Sequence, residues 1–200
     1  MGETGMEFYV PQETYLSAGV HIGTRLKNGS MRQYIYRARE DGLHVIDLKK
    51  LDERLHMAVN LLSRYDPKEV AIIGSKDNAK RAIELFCEVT GCVPMAGRFA
   101  PGRLTNPSRK DFAEPSLVIV VDPGIDKQAV REAFTANMPV IAFCDTNNGT
   151  KYIDLVIPTN NKGRKAIALL FWVMAREVLR AKGALASDED YTYKPEDFEA

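Results

Sequence analysis

Three stretches of this 200-residue chain carry positive charge without a single acid, and they hold its most suggestive chemistry. Arg25, Lys27, Arg32, Arg37 and Arg39 fall within residues 21–39. Arg98, Arg103, Arg109 and Lys110 fall within 98–110, and Lys162, Arg164 and Lys165 within 162–165. Separate loops of like charge suit a polyanion, which they would hold by neutralising several phosphates at once. Any one stretch alone reads equally well as a solvated face. The formal net charge of zero hides this polarity. Residues 1–14 contribute −3 and residues 186–200 contribute −5, which leaves +8 on residues 15–185. An acidic tail on a basic core is an asymmetry of nucleic-acid partners.

The third stretch says most about mechanism. Asn160 or Asn161 can cap a helix that begins near Gly163. Its first turn then sets three cations beside the positive end of the helix dipole, at a cost of ~0.3–1 kcal/mol each when exposed. A phosphate docked on the free N–H groups reverses that sign. Exposed lysine and arginine can equally splay away. In the other two stretches aromatics sit among the bases: Tyr34 and Tyr36 near Arg32, Arg37 and Arg39, and Phe99 between Arg98 and Arg103. Such aromatics can stack on unpaired nucleobases, or face the core, the better reading for Tyr34 or Tyr36. No base-reading module is present, so recognition of folded RNA through shape and phosphate is expected.

Catalysis finds less support. There is no GxGxxG and no GxxxxGK[ST]. Gly74-Ser75-Lys76 could touch a phosphate through backbone N–H groups, but reads better as a strand-to-helix turn. Asp122, Asp145 and Asp154 read as turn and cap residues. His21, His44 and His56 lack metal-ligand spacing, and no Ser or Cys sits in a nucleophile elbow. Cys87, Cys92 and Cys144 are odd in number and form no CxxC, which suits a reducing cytoplasm. Residues 1–14 show no secretory h-region, and the longest apolar run, 166–175, is about half a membrane span. No metal, cofactor or small-molecule substrate is expected.

The elements that must position these residues alternate. Short strands at 35–39 and 43–47 flank Asp41-Gly42, a hairpin turn. Helical spacing follows over 48–65, 78–90, 126–137, with Asp126 as cap, and 163–182. Apolar strand runs occupy 70–73, 92–95, 117–121, 140–143 and 152–157. Continuous apolar strands between helices imply a mostly parallel sheet covered on both faces, a Rossmann-like (flavodoxin-like) three-layer α/β fold. The segment AIALLFWVMAREVLRAK, 166–182, is apolar nearly all round at its start, so Phe171 and Trp172 read as core. Residues 15–183 form the expected single domain, between an acidic arm, 1–14, and an acidic tail, 184–200, expected to be disordered.

Longer motifs carry a family resemblance. AGVHIGTRLKNGSMRQYIYRAREDGLHVIDLKKL (18–51), GRFAPGRLTNPS (97–108), DPGIDKQAVREAFTANMPVIAFCDTN (122–147) and IPTNNKGRKAIALLFWVMAREVLRAKG (157–183) resemble, in order and spacing, the ribosomal S-two family of the small subunit. Phe99, Pro101-Gly102 and Leu104-Thr105-Asn106 are similar to its archaeal and eukaryotic branch. Nothing resembles the bacterial helical-hairpin insertion, and the features together look archaeal. The resemblance implies a non-catalytic α/β protein between head and body of the small subunit, with a part in assembly and translation. Its partners would be ribosomal RNA and neighbouring ribosomal proteins, in the cytoplasm and away from membranes. From charge, the RNA contacts expected are Arg25, Lys27, Arg32, Arg98, Arg103, Lys162, Arg164 and Lys165. Two other readings stay open: a Rossmann-type nucleotide- or phosphosugar-binding enzyme, and an interaction scaffold centred on an apolar surface near Trp172.

Overall fold

The computed structural model describes residues 8–185 and 190–199. Five strands form one all-parallel sheet: β3 (Val70–Gly74), β4 (Val93–Ala96), β5 (Leu117–Val120), β6 (Val140–Cys144) and β7 (Leu155–Pro158), in the order β4-β3-β5-β6-β7. Every residue of β3, β5 and β6 is buried, which is why these segments read as unbroken apolar runs. Alternate side chains leave the sheet on opposite sides. Ile72, Ile119, Ile141 and Phe143 join one core, with α2 (Leu48–Leu62), α3 (Asp77–Thr90) and α5 (Arg164–Ala181). Ile73, Val118, Val120 and Ala142 join the other, with α4 (Lys127–Thr135) and the loop residues Met31, Tyr34, Phe99 and Leu104. The result is the three-layer, Rossmann-like arrangement. A separate two-stranded antiparallel sheet, β1 (Ile35–Ala38) with β2 (His44–Ile46), makes the hairpin.

Helix ends show why the segments stop where they do. Asp47 caps α2 by accepting from the Lys49 N–H at 3.0 Å. Gly91 ends α3 at φ 82°, a conformation that costs glycine little. Asp126 departs from expectation. It precedes α4 but makes no side-chain cap. Its carboxylate instead accepts from the Ser75 N–H, at 3.2 Å, and from the Ser75 hydroxyl. Tertiary partners 51 residues away outcompete the local cap.

The flanking segments are tied down by polar contacts. A short helix, α1 (Gln12–Ser17), buries Tyr15, whose hydroxyl donates to Asp52 at 2.8 Å. His56 lies 3.2 Å from the same carboxylate and stacks on Tyr9. His44 meets the Thr24 carbonyl at 2.9 Å. Both histidines are thus structural. Residues 190–199 also differ from the expected disorder. Tyr191 and Phe198 are buried, and the Trp172 indole donates to the Tyr193 carbonyl at 2.7 Å. Three aromatics within an acidic segment supply apolar area that net charge conceals. Residues 186–189 of that expectation lie outside the described residues.

Candidate nucleic-acid interface

In an open parallel sheet, ligands bind beyond the carboxyl ends of the strands, where the strand order reverses. Here that point lies between β3 and β5. Its floor is occupied by a network of the protein's own side chains. Lys76 reaches Asp122 at 2.5 Å and donates to the Asn161 carbonyl at 2.8 Å. Asn148 donates to Asp122 at 3.0 Å, and Asn161 donates to Asn148 at 3.0 Å and to the Phe143 carbonyl at 2.9 Å. Asp122, Asp126, Asn148 and Asn161 are all buried. Burial pushes the Asp126 carboxyl above its ordinary range, against the hydrogen bonds from Ser75. The Ser75 N–H that would otherwise face a phosphate already holds this carboxylate. Gly74-Ser75-Lys76 is therefore a structural turn. Among the described residues no group of three or more His, Cys, Asp or Glu could hold a metal ion.

Bases flank this crevice. Residues 24–28 dock on the loop after β6. The Thr24 N–H donates to the Thr146 hydroxyl at 3.0 Å, that hydroxyl to the Leu26 carbonyl at 3.0 Å, and the Asn28 N–H to the Thr146 carbonyl at 2.7 Å. Gly23 is required at the clasp: a Cβ there would lie 2.4 Å from Thr146 Cγ2 and 2.8 Å from the His44 carbonyl. Arg25, Lys27 and Arg32 are left exposed. Asn160 joins the third stretch to the first. Its N–H donates to the Val20 carbonyl at 2.9 Å and its amide to the Gly19 carbonyl at 3.1 Å. Its own oxygen accepts from the Lys162 and Gly163 N–H groups at 3.0 and 3.1 Å. Asn160 thus caps the turn before α5, while Asn161 is buried in the crevice. Gly163, at the helix cap position, makes no side-chain cap. Lys162, Arg164 and Lys165 are exposed around that helix start, with Lys162 lying 3.5 Å from Asp145.

The second stretch joins them only in part. The Gly97 N–H donates to the Gly74 carbonyl at 2.9 Å, which sets exposed Arg98 at the carboxyl end of β4. The loop then descends along α4. Glu132 accepts from the Gly102 and Leu104 N–H groups at 2.6 and 3.1 Å and from Gln128 at 2.8 Å. Burial raises its carboxyl, and hydrogen bonds from Gln128, Gly102, Leu104 and Thr105 outweigh burial and hold it below the ordinary range. Arg103 is half-buried, with an Nε that finds no partner among the described residues. Arg109 is held by Asp111 through two bonds of 2.8 and 3.0 Å. Tyr34 and Phe99 are buried, so neither presents a face to a base, whereas Tyr36 is 70% exposed. Sequence reasoning missed Glu132, Thr146 and Asn148, which fix the loops without being basic.

A three-layer α/β protein with paired side chains across its crevice floor and bases beside it is the class that fold and site define. Residues 15–113 and 107–181 match the family described as ribosomal protein S2. Similar relatives include the "Small ribosomal subunit protein uS2" of Staphylothermus marinus, 45% identical over 97% of this chain and 88% of the relative. That of Thermoplasma volcanium is 45% identical over 97% and 98%, and that of Pyrobaculum calidifontis 48% identical over 98% and 96%. The chain belongs to the ribosomal protein S2 family. Its relatives are named as proteins of the small ribosomal subunit and come mostly from archaea.

Proposed function

We propose that the protein is a structural constituent of the small ribosomal subunit. In this reading it binds ribosomal RNA and neighbouring ribosomal proteins at the head–body junction, in the cytoplasm, and serves subunit assembly and translation. The observation that carries it is the exposed basic charge of Arg25, Lys27, Arg32, Arg98, Lys162, Arg164 and Lys165, beside a crevice whose floor is occupied by paired side chains. Half-buried Arg103 stands at its margin. Phosphates would sit on the rim, and the rigid sheet would hold the loops in register for them. Among the described residues no helix is long and apolar enough to cross a membrane.

The test is filter binding of small-subunit ribosomal RNA by wild type and by Arg164→Glu with Lys165→Glu. The hypothesis predicts weaker binding and a log–log salt slope flatter by about 0.9 for each phosphate no longer neutralised. Unchanged affinity and slope would remove the helix start from the interface.

A further inference from the structure

The rim continues beyond the three basic stretches. Two depressions, of about 690 and 190 Å³, share Gly124, Lys127 and Gly149 and make one open groove. It begins at Lys162, passes Lys127 on the first turn of α4, and ends at Arg131 and Lys151. Five bases line it against one carboxylate, Asp122, which Lys76 already neutralises. At the far end the rings of Tyr152 and Phe134 stand 4.2 Å apart, and Phe134 is 55% exposed. The Lys151 ammonium lies 4.7 Å over the Tyr152 ring. Tyr152 holds φ 67°, a left-handed conformation that costs a non-glycine residue of order 1–3 kcal/mol and recurs where ligands are clamped. An exposed Phe134 ring backed by half-buried Tyr152 and framed by cations is what a nucleobase stacks on, and bases along a groove are what its backbone follows.

We propose that this groove binds a single-stranded segment of RNA, with Lys162, Lys127, Arg131 and Lys151 against its phosphates and the Phe134–Tyr152 pair under an unpaired base. The inference rests on the RNA-binding reading above and extends it to a surface outside the RNA contacts expected from sequence, Lys162 excepted. A single strand fits better than a duplex, because only an unstacked base can cover the exposed Phe134 ring. An acidic protein segment would satisfy the lysines equally, but not require a flat aromatic partner.

The experiment is fluorescence anisotropy with an unstructured oligouridylate of about ten nucleotides and its abasic counterpart, the same backbone without bases. The proposal predicts that Phe134→Ala weakens the base-bearing strand by roughly five-fold to a hundred-fold and leaves the abasic strand unchanged. Phe134→Trp should retain wild-type affinity, which separates stacking from a merely structural effect. Arg131→Ala with Lys151→Ala should weaken both strands and flatten the salt slope by about 0.7 for each phosphate no longer neutralised. Equal affinities of wild type and Phe134→Ala for the base-bearing strand would overturn the groove, as would a Phe134→Ala effect confined to capture of a neighbouring protein. If Arg164→Glu with Lys165→Glu still weakened folded ribosomal RNA in that case, the broader reading would stand alone. Failure of wild type to bind any of these RNAs would overturn both.

Discussion

Glu132 offers the sharpest perturbation, because it holds a basic loop without touching any ligand. Its two oxygens accept from the Gly102 and Leu104 N–H groups and from Gln128. Glu132→Gln keeps the shape but replaces one acceptor oxygen with an NH2 group, which faces a donor. One charge-assisted bond disappears, worth about 1.5–3 kcal/mol, and the surviving bonds lose their charge, for a total of about 2–4 kcal/mol. For a chain of this size that lowers Tm by roughly 5–15 °C. The pH dependence has a fixed sign. The folded carboxyl titrates below its ordinary value of 4.5. Its contribution is therefore fully present above that value and is lost as pH falls through the folded value. Urea denaturation at neutral and acid pH, with hydrogen exchange at Gly102 and Leu104, reads both effects. The parent should lose its advantage over Glu132→Gln on acidification, and the two amides should exchange faster in the variant at neutral pH. Stabilities within about 0.5 kcal/mol at neutral pH, with unchanged protection, would refute the reasoning.

Three further outcomes follow from the same geometry. Gly23→Ala drives a methyl into Thr146 and the His44 carbonyl, and should cost about 1–3 kcal/mol in thermal unfolding while loosening residues 24–28. Lys76→Met strands Asp122 as a buried, unpaired charge and should cost about 3–5 kcal/mol in urea, whereas calorimetry with free nucleotides should show no binding to parent or variant. Glu196 and Glu199 line a groove with Lys165, so Glu196→Gln with Glu199→Gln should raise RNA affinity about two- to five-fold at low salt, an increase that high salt erases.

The legible part of this structure was local. Val70–Gly74 and Val140–Cys144 announce themselves because burial on both faces demands unbroken apolar runs. Asp41-Gly42 marks its hairpin because the turn needs a glycine at φ 82°. Where the outcome depended on residues distant in sequence, local chemistry misled or fell silent. Asp126 looks like a cap and is taken by Ser75. Asn160 and Asn161 are equivalent on paper, but one closes on Gly19 and Val20 and the other on Phe143. Tyr34 and Tyr36 both sit among bases, but Tyr34 ends the 3-10 helix Gly29–Tyr34 and is buried, whereas Tyr36 lies on β1 and is exposed. The positive stretches were legible as charge, yet their convergence needed the carboxyl ends of β4, β6 and β7 to share one edge. Glu132 could not be found at all without the fold, since its loop partners lie 28 and 30 residues away.

The central claim is that the basic rim holds this protein on the small subunit through RNA. The most direct measurement is a sucrose-gradient profile of native lysate, probed for the protein with and without ribonuclease. The account predicts co-migration with the small subunit that digestion or high salt abolishes. Migration as a free small species, with or without digestion, would contradict it.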